Sequence, residues 1–364
     1  MKSLLACLLI VLSLLSFPDF SRSQEPVIEV KDMAGRVVKA PLDPQRIVCL
    51  GPGTLRQIVY LQKQDKVVGI ENFEKISAYG RPYLLANPQL AQLPTIAPGG
   101  PGNINNDPDL EATLKSRPQV IFISYMDPNK ATALQDKIGI PVVVLSQGRF
   151  AGFDEKLYDS LKIAGKVLKA ETRAEAIIKF IDDCREDLAK RSTNVEPAKG
   201  PTVYVGSVGF RGQQGIESTD ADYTPFEWVK ANNIVKTLNK KEHVFINKEQ
   251  LLAWDPDIIF IDGSGLNPTM LDYQKNPDFY NSLKAVKESR DYLLFPFNFY
   301  IANVDTAIAD AYAVGKLLYP DRFSDVDIRK NADRIYEFFV NKPIYHYMEK
   351  DFGPLGSPGV FKKN

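Results

Sequence analysis

Along the chain, short unbroken apolar runs alternate with stretches whose apolar residues recur every third or fourth position. From Val27 to about Gln147 the runs are "RIVCL", "KVVGI", "VIFIS" and "PVVVL", and the stretches between them include "TLRQIVYLQK" and "DLEATLKS". Runs that are apolar at every position are strands buried on both faces, and strands separated by amphipathic helices make a parallel sheet covered on both sides. The same grammar returns after "VEPAKGP", where "TVYVGS", "DIIFID" and "YLLFPF" alternate with "TPFEWVKANN", "KEQLLAW" and "DTAIADAYAVGKLLY". The pattern predicts an α/β chain of two lobes with central, mainly parallel sheets.

Between the lobes, "FDEKLYDSLKIAGKVLKAETRAEAIIKFIDDCREDLAKRST" is almost free of Gly and Pro and helical in its spacing of apolar residues. Thr172 as N-cap with Glu175 three residues on forms a capping box, so one helix is expected from Thr172 to Arg191. At about 1.5 Å per residue such a rod is roughly 30 Å long, enough to bridge two lobes. The expected organisation is a first lobe over 24–153, a helical segment with the interlobe helix over 154–193, and a second lobe over 194–364. The last stretch, "DIRKNADRIYEFFVNKPIYHYMEKDFG", reads as two helices packed on the second lobe. A stiff interlobe helix resists wide hinge closure, so a ligand should shift the lobes only slightly.

One unit is used twice. "EATLKSRPQVIFISY" from residue 111 and "EQLLAWDPDIIFIDG" from residue 249 align without a gap. They share Glu111 with Glu249, Leu114 with Leu252, Pro118 with Pro256, and the run Ile121, Phe122, Ile123 with Ile259, Phe260, Ile261. In each copy a capping residue, Asp109 or Asn247, opens a helix with the Glu in its first turn. There a carboxylate favours the unpaired backbone N–H groups and the helix dipole by about 0.3–1 kcal/mol.

Composition narrows the partners. In 364 residues, 44% are hydrophobic and 25% charged, and Lys plus Arg and Asp plus Glu are both 45. Nothing in that balance selects nucleic acid or an anionic membrane surface, which leaves small molecules and proteins. The N-terminus, "MKSLLACLLIVLSLLSFPDFSRS", has one early Lys, an apolar run from Leu4 to Leu15, Pro18 and small residues at Ser21 and Ser23. It reads as a secretory signal cleaved near Ser23, too short to anchor the chain permanently. Leu4-Leu5-Ala6-Cys7 is discounted as an acylation box, because most of the apolar run follows the Cys. Past residue 23 only Cys49 and Cys184 remain, and both are expected to be buried free thiols.

A long linker helix, two similar α/β lobes and an export signal resemble the periplasmic substrate-binding proteins of ABC importers for siderophores, haem and cobalamin. "PQRIVCLGPGTLRQIVYL" at 44–61 looks like that family's opening strand, loop and helix, "KVVGIE" and "LEATLKSRPQVIFIS" like its next units, and "YPDRF" like its late helix end. The resemblance implies a receptor without cofactor, active as a monomer in the periplasm, that passes its ligand to a membrane permease dimer. It also implies that an acidic residue on each lobe docks into a basic pocket of one permease half, and the aligned positions are Glu111 and Glu249.

In open parallel sheets ligands bind beyond the carboxyl ends of the strands. Loops leaving those ends carry Arg81, Arg149 and Arg211, each flanked by Gly or aromatic residues, where a guanidinium fork suits carboxylate, catecholate or oxyanion. Tyr125, Phe150, Tyr223 and Tyr300, with Tyr79, Phe210 and Phe299, are candidate walls for a bulky chelate. The expected ligand is anionic, and the resemblance suggests a ferric siderophore or similar chelate. A tyrosine ligating iron directly is the other arrangement, with no position identified for it. His243 precedes an apolar strand and His346 lies in a helix, so neither is expected in a cleft loop, and capture of a bare divalent cation is not expected. Two further ligands stay open on the same fold: a molybdate or tungstate oxyanion, or a corrinoid. A secreted α/β hydrolase is disfavoured, since "GSVG" at 206–209 lacks the G-x-S-x-G spacing and neither later His leaves a strand end, His243 preceding a strand and His346 lying in a helix.

Overall fold

The computed structural model describes residues 26–104, 106–148 and 152–362. The export signal expected over 1–23, and the candidate ligand contacts Arg149 and Phe150, lie outside the described residues.

A hairpin comes first, β1 (Val27–Lys31) pairing antiparallel with β2 (Val37–Pro41). The first sheet holds β3 (Ile47–Leu50), β4 (Val67–Glu71), β5 (Thr95–Ala97), β6 (Val120–Ser124) and β7 (Val142–Leu145). Its order is β5-β4-β3-β6-β7, all parallel. Every residue of β3, β6 and β7 is buried, as continuous apolar runs require. Side chains alternate between two separate clusters: Ile47, Cys49 and Phe122 join one, while Val48, Leu50, Ile121 and Ile123 join the other.

The second half holds β8 (Thr202–Gly206), β9 (Ser218–Asp220), β10 (Asn232–Asn233), β11 (His243–Phe245), β12 (Ile258–Asp262) and β13 (Asp291–Leu294). Four of these form a parallel sheet in the order β10-β8-β12-β13, and β9 and β11 make a separate antiparallel pair. The order β4-β3-β6-β7 matches β10-β8-β12-β13 strand for strand. The repeated sequence unit therefore enters the equivalent strand, β6 or β12, of each sheet.

The helix expected between the lobes runs Glu171–Arg191, with buried Ala174, Ile177, Ile181, Cys184 and Leu188 along one stripe. It begins after Ala170, which provides no side-chain cap, so the expected Thr172 capping box does not form. One flank packs on the helix Glu155–Val167, which covers β1 and β7, and the other packs on Val304–Leu318 of the second half. Arg173 Nε donates to the Tyr60 carbonyl at 2.9 Å, and its NH2 group donates to the Phe338 carbonyl.

The C-terminal helix Ile328–Val340 departs from expectation. It packs on Val304–Leu318 but also on the first-half helices Thr54–Tyr60 and Pro82–Ala86. Phe338 stacks on Phe180 at 3.9 Å, and the Lys342 ammonium donates to the Ala86 carbonyl. One hydrophobic core consequently runs through both halves. Cys49 and Cys184 are buried and unpaired within it.

Candidate ligand-binding cleft

Loops from the carboxyl ends of both sheets enclose a cavity of about 380 Å³. The first half contributes Phe73, after β4, and Pro101 and Ile104, after β5. The second half contributes Gly209–Gln213 after β8, Glu242 and His243 at β11, Ser264 after β12, and Asn298–Ile301 after β13. A more open recess, walled by Asp154, Glu155, Lys156, Arg185 and Glu227, carries charges of both signs.

Arg211 stands in the cavity wall, exposed, with its guanidinium 5.5 Å from the centre of the Phe210 ring. Phe210 in turn stacks flat on His243, at 4.1 Å and 4° between planes. This corrects the expectation that His243 lies away from the cleft. The antiparallel pair β9–β11 folds over the cavity and carries the imidazole with it. Its Nε2 is 2.7 Å from Ser218 Oγ, and burial pushes its pKa down to about 4, so the ring is neutral at ordinary pH.

Tyr300 lines the cavity from the second half, but its polar partners lie in the first. Its hydroxyl donates to Glu71 Oε2 at 2.5 Å and accepts from the Gly100 N–H at 3.0 Å, and its ring meets Phe73 at 4.6 Å. Glu71 also accepts from the Gly51 N–H at 2.8 Å, and burial raises its pKa to about 7. Gly51 takes φ +76° and packs against Ser124, where a Cβ would lie 2.6 Å from Ser124 Oγ.

The loop bearing Tyr300 is held from below by Arg56. This side chain is wholly buried, and its guanidinium donates to the carbonyls of Phe299 at 3.0 Å, Tyr300 at 3.1 Å and Ala302 at 2.8 Å. Gln147 adds a bond to the same Ala302 carbonyl at 2.5 Å, and Asn303 bonds the Gly80 carbonyl at 3.4 Å. Tyr300 and Ile301 both take positive φ, 52° and 64°, a strained pair that this web of bonds keeps in place. Sequence reading missed Arg56, Glu71 and His243.

Three expected contacts are corrected. Arg81 is 1% exposed, with NH1 on Glu74 Oε2 at 2.9 Å and on the Phe73 carbonyl at 3.1 Å, and NH2 on the Ser77 carbonyl. It sits behind the wall between Phe73 and Phe299 and supports both rings. Tyr223 is buried at the carboxyl end of β12, donating to Asp262 Oδ2 at 3.1 Å and packed on Phe226 and Phe297. Tyr125, at φ 58°, accepts from the Gln147 N–H at 3.2 Å and donates to the Gly148 carbonyl at 3.4 Å. It therefore braces the loop after β7 and is not part of the cavity wall.

Glu111 and Glu249 are exposed in first helical turns, behind Asp109, which caps the Ala112 N–H, and Asn247, which caps the Gln250 N–H. Among the described residues, no group of three or more His, Cys, Asp or Glu is placed to hold a metal ion, and no helix is long and apolar enough to cross a membrane.

A family model described as periplasmic binding protein matches residues 47–296. The chain is 25% identical over 355 residues to the molybdate-binding protein MolA of Haemophilus influenzae, spanning 91% of this chain and 95% of that one. It is 27% identical over 191 residues to the Fe(3+)-citrate-binding protein YfmC of Bacillus subtilis, spanning 51% of this chain and 56% of that one. The structure of a periplasmic solute binding protein from Veillonella parvula superposes with a TM-score of 0.71 at 21% identity, over 90% of this chain and 97% of that one.

Proposed function

Because the chain belongs to the periplasmic binding protein family, we propose that its interlobe cavity takes up an anionic organic chelate of a metal, of the ferric citrate or ferric siderophore type. Members of this family are solute receptors for ABC importers and are not enzymes.

The make-up of the cavity carries the chelate reading. Its volume of about 380 Å³ falls in the range of small-organic-ligand sites, and Phe73, Ile104, Phe210, Phe299 and Tyr300 give it broad apolar walls. Among its described lining residues Arg211 is the cation and Glu242 the anion, with Gln213, His243 and Asn298 as neutral polar groups. Apolar walls suit the carbon skeleton of a chelator, and the guanidinium suits its carboxylate or catecholate oxygens. Arg149 and Phe150, on the loop leaving β7, are proposed as a second contact of the same kind.

We read the lobes as 24–153 and 194–364, joined by 154–193 with Glu171–Arg191 as the strut. The exported chain, cleaved near Ser23, works in the periplasm as a monomer and delivers the chelate to a permease dimer through Glu111 and Glu249. The topologically equivalent places of those two carboxylates support this docking.

Molybdate is the second reading, favoured by the likeness to MolA over most of the chain. A small tetrahedral oxyanion wants convergent N–H and O–H donors on all sides, and mostly apolar walls do not supply them. Calorimetric titration of the purified chain separates the two. Ferric citrate or a ferric catecholate is expected to bind and sodium molybdate to give no heat; molybdate binding with no response to either ferric chelate would overturn the proposal.

A further inference from the structure

The two copies of the repeated unit share six residues, and the fold accounts for four of them. Pro118 and Pro256 are buried at the turns into β6 and β12, and Ile121–Ile123 and Ile259–Ile261 are buried in the two sheets. The other two identities are exposed. Glu111 and Glu249 are at the surface, and Leu114 and Leu252 are 52% and 40% exposed. Each Leu follows its Glu by three residues, on the helices Leu110–Lys115 and Lys248–Trp254, so the two side chains share a helix face.

Packing gives no reason to keep a leucine there twice. The helices have diverged around it: Ala112, Thr113, Lys115 and Ser116 in one copy stand against Gln250, Leu251, Ala253 and Trp254 in the other. The exposed half of each Leu gains nothing in the isolated chain, whereas covering it against another surface is favourable. The same acid-plus-Leu pair at equivalent places in both sheets points to one partner with two related receiving surfaces. The carboxylate in each pair calls for a basic group beside each apolar one.

We propose that Leu114 and Leu252 are the apolar halves of two matched docking knobs. Each seats in an apolar recess next to the basic site that receives Glu111 or Glu249 on one permease half. The inference rests on the docking role of those carboxylates given above, and adds a contact that charge alone does not provide. Salt screens the carboxylate half of each knob and leaves the leucine half intact, so association persists at ionic strengths that weaken an all-ionic contact.

The test measures association of the purified chain with its transporter, isolated from the cells that express it and placed in nanodiscs. Leu114→Ser and Leu252→Ser are compared singly and together, with Glu111→Lys/Glu249→Lys as reference. Each single Leu variant is expected to weaken association by about fivefold and the double variant by about twentyfold, with thermal unfolding and ferric citrate binding unchanged. If the double Leu variant associates like the parent while the charge-reversed one fails, the leucine role is wrong and the carboxylate docking stands. If neither variant weakens association, the docking reading itself falls. If the parent self-associates in sedimentation and the Leu variants abolish that, the leucines cover a second copy of this chain and the proposal is overturned.

Discussion

The two lobes share a strand order but divide the work at the cleft between them. The first presents Phe73, Pro101 and Ile104 to the cavity, all apolar, while the second presents Arg211, Gln213, Glu242, His243, Ser264 and Asn298 as well as aromatic rings. The first lobe is not short of polar groups near its strand ends. Arg56, Glu71, Glu74 and Arg81 are all there, but they are buried and committed to one another or to the loop 299–302. A duplicated scaffold has thus become a holder and a reader. The holder commits Arg56 and Glu71 to fixing the reader's loop, and the reader leaves Arg211 exposed in the cavity wall, where we propose that it meets the ligand.

The sharpest way to break this comparison is at Arg56. Replacing it with Leu removes three hydrogen bonds and strips the Phe299 and Tyr300 carbonyls of this donor, while the Ala302 carbonyl keeps only its bond from Gln147. The expected loss of stability is about 3 kcal/mol, read by urea unfolding, with partial recovery in Arg56→Lys. A stability change near zero would mean that the loop is fixed by something else.

The next effect concerns pH. Glu71 has its pKa raised by burial to about 7 in the folded chain, above its value in the unfolded chain, so the native state binds the proton more tightly. Stability from this group is greatest at low pH, falls as pH rises through the native pKa, and levels off above it. Asp262 and Asp305, each raised by burial to about 6, act with the same sign at lower pH. Glu71→Gln should flatten the decline in stability between about pH 5 and pH 8, by about 1–2 kcal/mol across that range. An unchanged slope in urea titrations at those pH values would remove Glu71 from the account.

The smallest expected effect is at the reader's own charge. Arg211→Ala should weaken a ferric chelate by about tenfold, more at low salt than at high, and leave unfolding unaltered because the side chain is exposed. Should Arg211→Ala unfold the protein and Arg56→Leu spare it, the two lobes would have exchanged roles.

What could be read from the sequence follows from how local each signal is. The strands were legible because "RIVCL", "VIFIS" and "DIIFID" are apolar at every position, and the Asp109 and Asn247 caps because an Asx residue precedes each helix. The 171–191 helix was legible in its stripe but not in its start, since Ala170 leaves no side-chain signature. The three-residue strands β9 and β11 are too short to show a period, so the fold of His243 over the cavity was invisible. Arg56 falls inside "TLRQIVYLQK", where a polar residue between apolar ones carries no sign of burial. Its acceptors lie 243 to 246 residues further along the chain, and nothing local announces them. Arg81 was misread for the opposite reason: its partner Glu74 is only seven residues away, and a Gly-flanked loop position did not reveal that the pair is buried.

The helix 328–340, wedged against both halves, bears on how the molecule comes into being. Lys342 and Ala86 are 256 residues apart in sequence, so the first half, although complete in its own strands, emerges during synthesis with Tyr60 and the Pro82–Ala86 helix uncovered. Such long-range closure makes assembly slow and leaves sticky surface exposed while it waits. Delivery across a membrane in an unfolded state would let the last helices arrive before the first half commits itself.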